Sequence, residues 1–128
     1  MKILGIGVDI VKNKRIQSLI RNKNFIKRTF GTKELKFSKE KINKTNYFAK
    51  RFAAKEAFSK SFGTGIRGNL SFKDIEILND KMGKPFFYKS KKIDQIVKKK
   101  FKIKKYDLLL SLSDEKDHSI AFSILIKK

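Results

Sequence analysis

From Ile3 to Ile10 the chain alternates in a way that predicts a strand, with Leu4, Ile6, Val8 and Ile10 on one face. The opposite face carries Ile3, Gly5, Gly7 and Asp9, a nearly bare surface with one acid on it. The period then lengthens. Ile16, Leu19 and Ile20 fall on one side of a helix, with Lys12, Lys14, Arg15, Arg21 and Lys23 around the rest. Thr32, ahead of Lys33, Glu34 and Leu35, predicts the N-cap of a second, short helix. Asn46 is read as the cap of a long third helix that runs to about Phe62 and stops at Gly63.

Beyond "GTGIRGN" the period changes to two. "FKDIEIL" (72–78) reads as a strand, and "NDKMGKP" (79–85) has the turn chemistry for reversal into "FFY". Ser90 caps a short helix built on Ile93, Ile96 and Val97. Leu108, Leu110 and Leu112 then line one face of a strand. Ile120, Phe122, Ile124 and Ile126 do the same for the next, with the polar "DEKDH" between them as a tight hairpin. No internal repeat or linker breaks the pattern. The expectation is one α+β domain spanning 1–128, mainly antiparallel sheet with a long central helix.

Composition changes this picture in two places. Without cysteine there is no disulfide framework and no thiolate metal site, which fits a reducing interior. The apolar run at the start is short and broken by Gly5, Gly7 and Asp9, so it reads as neither a membrane span nor a leader; the expectation is a soluble, cytoplasmic protein. The formal charge of +21 attracts polyanions in general, but Lys far outnumbers Arg and Ile, Asn and Phe are abundant beside it. That joint bias is what AT-rich codons produce. Compositional drift and selection for an acidic partner are both open, and no detached basic tail is present.

Candidate chemistry rests on two acids. In "RFAAKEAFSKSFGTGI" (51–66), intervals of four give Phe48, Phe52, Glu56 and Lys60 beside Ala49, Ala53 and Ala57. Glu56 therefore sits where the inward stripe of a helix wants an apolar side chain. Asp9 sits on the glycine-lined face of the first strand. Either Glu56 pairs with Lys60 one turn on and Asp9 accepts backbone donors, or the two carboxylates converge and need a cation between them. A hard ion such as Mg²⁺ suits two such oxygens together with waters and substrate phosphates. The glycine-rich exit from the helix offers backbone N–H groups to phosphate, with Lys60 and Arg67 nearby, but matches neither a P-loop nor a dinucleotide fingerprint. His118 has no companion ligand and reads as a solvated turn residue; Ser111 and Ser113 read as strand residues.

Together "GIGVDI" (5–10), "RFAAKEAFSKSFGTGI" (51–66) and "FKDIEILNDKMGKP" (72–85) resemble the 4'-phosphopantetheinyl transferase family, in its small bacterial type, the holo-acyl-carrier-protein synthases. "LSLSDEKDHSIAFSILI" fits that family's closing hairpin more loosely. The resemblance implies the family fold and transfer of the phosphopantetheine arm of coenzyme A to a serine of an acidic acyl carrier protein. The other product is 3',5'-ADP, and the reaction supports fatty acid biosynthesis. It also implies that Asp9 and Glu56 hold Mg²⁺, and that Lys60 with the turn Gly63, Thr64 and Gly65 lies along the phosphates. Glu56 becomes the general base, directly or through a water. Arg15, Arg21 and Lys23 on a basic first helix become the carrier-docking residues. The family's small members are trimers with active sites between subunits, so a homotrimer is expected, without membrane or nucleic acid as partner. One departure is Asp114, where many relatives have His. The rival reading is a small basic nucleic-acid-binding protein, which would interleave aromatic and basic residues on one surface.

Overall fold

The computed structural model describes residues 1–63, 65 and 70–128. A long strand β1 (Lys2–Lys12) leads into α1 (Asn13–Leu19), α2 (Lys23–Thr29), α3 (Thr32–Ser38) and the central helix α4 (Lys44–Phe62). After a 3-10 turn at Phe72–Asp74 come β2 (Ile77–Asn79), β3 (Pro85–Phe87), α5 (Lys91–Phe101), β4 (Tyr106–Asp114) and β5 (His118–Lys127). The outer strands β1 and β4 flank β5 in an antiparallel sheet, and β2 pairs with β3 in a second, two-stranded one. The α+β expectation holds, with α4 laid across the larger sheet.

The glycines of β1 explain how α4 sits there. A Cβ on Gly5 would fall 1.8 Å from the Ser61 carbonyl oxygen, and one on Gly7 would fall 1.9 Å from that of Ala57. Helix backbone and strand backbone therefore touch, which no larger residue permits. The bare face of the first strand is thus the covered face. Its apolar face lies in solvent: Ile6, Val8 and Ile10 are 59, 53 and 61% exposed. Register places Ile6 beside Ile124, Val8 beside Phe122 and Ile10 beside Ile120. The outer face of the sheet is a continuous apolar surface.

Five sequence expectations shift. Gly31, not Thr32, caps α3, and Asn43, not Asn46, caps α4; the Asn43 side chain accepts from the Asn46 N–H at 2.9 Å. Four helices precede the glycine turn instead of three, because Asn22 accepts from the Asn24 and Phe25 N–H groups and starts a new helix. The stretch read as one strand at 72–78 is a 3-10 turn followed by a short strand. Finally, α4 carries no simple inward stripe. It is buried nearly all round, against Phe25, Phe30 and Phe87 among others, and Arg51 and Lys55 are buried along it as well.

Candidate active site

The β1–α4 contact places three of the predicted side chains together. Asp9 lies opposite Ala121 near the end of the covered row of β1. One turn of α4 beyond the Ala53–Ala57 contact region, Lys60 reaches back so that its ammonium donates to the Val8 carbonyl at 2.8 Å and pairs with Asp9 at 3.4 Å. Glu56 is half-buried on the same side of the helix. Burial first, then the neighbouring Asp9 charge, raises its carboxyl above the ordinary value, while Lys60 and Arg15 pull it back. Lys60 therefore partners Asp9 and the strand backbone, and Glu56 is left without a hydrogen-bonded cation of its own. Two neighbouring carboxylates in a half-open site are a donor set suited to a hard divalent cation. Among the described residues no third Asp, Glu, His or Cys joins them.

Helix α4 ends as the sequence requires. The Gly63 N–H closes on the Ser59 carbonyl at 3.1 Å, and Gly63 takes φ +95°, in the left-handed region that favours glycine. Lys100 of α5 donates to the Phe62 carbonyl and lies 4.3 Å from the Phe62 ring centroid, which satisfies one of the helix's last acceptors. Gly65 follows at φ +71°. Thr64 and Arg67, singled out above, lie outside the described residues.

The docking candidates are exposed but do not share one helix. Arg15 is on α1, with its guanidinium 5.9 Å from the Phe52 ring centroid, whereas Arg21 lies past the end of α1 and Lys23 opens α2. Asp114 ends β4 and accepts from the Asn46 amide at 2.5 Å, with Lys50 at 3.8 Å. It lines a hollow of about 680 Å³ together with Lys50, Arg51, Lys81 and Pro85. That hollow does not include Asp9, Glu56 or Lys60.

Comparison with known proteins decides the family. A model of the 4'-phosphopantetheinyl transferase superfamily matches residues 5–123. The chain belongs to this superfamily. Across all of both chains it is 58% identical to a holo-[acyl-carrier-protein] synthase of Pelagibacter ubique. The crystal structure of the Neisseria meningitidis synthase superposes with a TM-score of 0.88 at 42% identity, covering 98% of this chain and 99% of that one. A Bacillus anthracis synthase, solved in complex with coenzyme A (3',5'-ADP), gives 0.82 at 34% identity over the whole of both chains. As a 4'-phosphopantetheinyl transferase superfamily member, the chain has charged residues that the sequence reading missed. Glu34, Arg51 and Lys55 are all buried. The available signal was the pair Arg51 and Lys55, four apart on one face of the helix and flanked there by Phe48, Phe52 and Ala54.

Proposed function

We propose that the chain transfers the 4'-phosphopantetheine arm of coenzyme A to a serine hydroxyl of apo acyl carrier protein, releasing 3',5'-ADP. The observation that carries this is the convergence of Asp9, Glu56 and Lys60 where α4 lies against Gly5 and Gly7, in a chain that matches the superfamily along 5–123. The serine oxygen forms a bond to the β-phosphorus of coenzyme A as the bond from that phosphorus to the bridging oxygen of the ADP breaks. Glu56, with its raised carboxyl, takes the serine proton. Lys60, more than half exposed, leaves Asp9 to lie along the diphosphate, with the turn at Gly63 and Gly65 beside it. Asp9 and Glu56 would hold Mg²⁺, which when bound supplies charge neutralisation at the diphosphate. The defining experiment is mass spectrometry of apo carrier protein incubated with coenzyme A, Mg²⁺ and this protein. A gain of one phosphopantetheinyl group supports the reading, and an unchanged mass rejects it.

The raised Glu56 carboxyl gives the metal assignment a pH signature. In the cation-free fold Glu56 binds its proton more tightly than in the unfolded chain. Its contribution to stability is therefore fullest below the ordinary carboxylate pKa and is lost as pH rises through the raised value. A cation at Asp9 and Glu56 reverses the preference. Mg²⁺ binding should release protons, and its affinity should fall as pH drops through the raised Glu56 value. Calorimetry in two buffers of different ionisation enthalpy, at a mildly acidic pH where Glu56 is partly protonated, reads the released proton; no release there would remove Glu56 from the ligand set.

A homotrimer is part of the proposal, and the outer sheet face supports it. Ile6, Val8, Ile10, Leu109, Ile120 and Phe122 expose more apolar surface side by side than an isolated domain tolerates well. In such an assembly the open side of one chain's acids is closed by a second chain, whose 680 Å³ hollow offers Lys50 and Lys81 to the nucleotide end of coenzyme A. Phe122→Glu should convert the trimer to monomers in sedimentation velocity and reduce transfer with it. A wild-type monomer would refute the assembly, and a variant trimer would refute this face as its interface.

The acidic carrier then meets Arg15, Arg21 and Lys23, which lie exposed on α1, past its end and at the start of α2. A cytoplasmic setting belongs to the same reading; among the described residues no helix is long and apolar enough to cross a membrane. The nucleic-acid alternative is weakened by the aromatics, because seven of the twelve Phe are buried in the core.

A further inference from the structure

Helix α1 has an unusual start. It is only seven residues long, too short to stand without tertiary support, and its cap residue Lys12 makes no side-chain capping bond. A lysine there also places positive charge at the positive end of the helix. Support comes instead from the β4–β5 hairpin. The Asn13 N–H donates to the Asp117 carbonyl at 2.8 Å, and its side-chain amide donates to the carbonyls of Glu115 and Lys116, each at 3.1 Å. Three successive hairpin carbonyls thus converge on one residue. The fully buried Ser119 hydroxyl donates to the Asn13 Oδ1 at 2.8 Å, which fixes which way the amide faces.

The burial of α1 shows what this arrangement controls. Its only buried residues are Asn13 and Ile16, with Leu19 half-buried against the core. The apolar anchors fix one stretch of the helix, and Asn13 fixes its first turn. Arg15 lies between them. Beside that first turn is a hollow of about 500 Å³, lined by Asn13, Lys14, Gln17, Asn46, Asp114 and Asp117 among others, so a released helix has room to swing. We infer that Asn13, held by Ser119, is a positioning residue: it uses the hairpin as the missing cap of α1 and so fixes where Arg15 meets the carrier protein. This rests on the reading of Arg15 as a docking residue.

The test uses the whole protein with coenzyme A, Mg²⁺ and apo acyl carrier protein, and the variants Asn13→Asp, Ser119→Ala, Arg15→Ala and the Asn13→Asp/Arg15→Ala double. Asp at 13 keeps the volume but replaces the donor that faces two carbonyls. Its carrier KM should rise about tenfold, the loss of one to two buried hydrogen bonds, while the coenzyme A KM and kcat stay within about twofold. Amide hydrogen exchange should quicken about tenfold across α1 and remain unchanged in α4 and the sheet. Arg15→Ala should cost much less in the Asn13→Asp background than in the native one, a coupling that loss of stability alone does not produce. Ser119→Ala, a milder change, should move the same readouts in the same direction and decides the matter if Asn13→Asp does not fold. Unchanged α1 exchange, or full additivity with Arg15→Ala, overturns the inference. If Arg15→Ala alone leaves the carrier KM untouched, the docking reading fails. The role of Asn13 in fixing Arg15 for the carrier then fails with it, whatever α1 exchange shows.

Discussion

Glu56→Gln should remove nearly all transfer while making the cation-free protein slightly more stable. The two effects have one cause. Burial and the Asp9 charge make the ionised Glu56 unfavourable in the fold, so a neutral isostere relieves the fold while deleting both a metal oxygen and the proton acceptor. Loss of one such electrostatic element costs on the order of 10²–10³ in turnover. Stability gained where function is lost is the usual mark of an active-site charge. Asp9→Asn should show a comparable loss of turnover without the gain, because it also gives up the Lys60 pair at 3.4 Å. Turnover at saturating and limiting Mg²⁺, read beside thermal melts in chelator, separates these outcomes. Near-normal transfer by Glu56→Gln at limiting Mg²⁺ would end the metal and base assignments together. A variant that unfolds would make Glu56 a structural acid.

The acids were legible in the sequence because each violates its local pattern. An acid on a glycine-lined strand face and an acid on the apolar rows of a helix are both costly unless something uses them. Their convergence was not legible from spacing. It depends on α4 approaching β1 at the distance that Gly5 and Gly7 permit, a tertiary fact. The same gap explains the misjudged strand face. Alternation identified Ile6, Val8 and Ile10 as one face, but a bare glycine face can be the buried one when a helix backbone fills it. Helix starts were missed by one to three residues, at Gly31 and Asn43, where several capping residues compete and only the fold selects among them. Composition misled most over the lysines. A Lys-rich chain makes every lysine look solvated, and this concealed Lys55, which is fully buried next to Glu56 in the chain.

Lys55→Met should be strongly destabilising, with a loss of about 3–5 kcal/mol, the cost of leaving a buried charge without its partner. The Lys55 ammonium donates to Glu34 Oε1 at 2.6 Å and to the carbonyls of Phe72 and Ile75 at 3.0 and 2.5 Å. Glu34 in turn accepts from the Gly31 and Ile77 N–H groups, each at 3.0 Å. Burial pushes Lys55 down and Glu34 up, and each opposes the shift of the other. Removing the ammonium leaves Glu34 uncompensated and the Ile75 carbonyl unpaired where α3, α4 and the segment leading to β2 meet, while the Phe72 carbonyl keeps the Ile75 N–H. For a domain of this size the loss corresponds to a fall in melting temperature of roughly 10–20 °C. A double change to apolar residues should recover little, because the backbone groups that the pair satisfies would stay buried without partners. Chemical denaturation of Lys55→Met, Glu34→Leu and the double variant gives the coupling energy. A Lys55→Met protein within about 1 kcal/mol of the native one would show that this pair does not hold the elements together. Since Lys55 faces this network while its neighbour Glu56 faces Asp9, Lys55→Met should lose stability well ahead of turnover measured at low temperature, the reverse of Glu56→Gln.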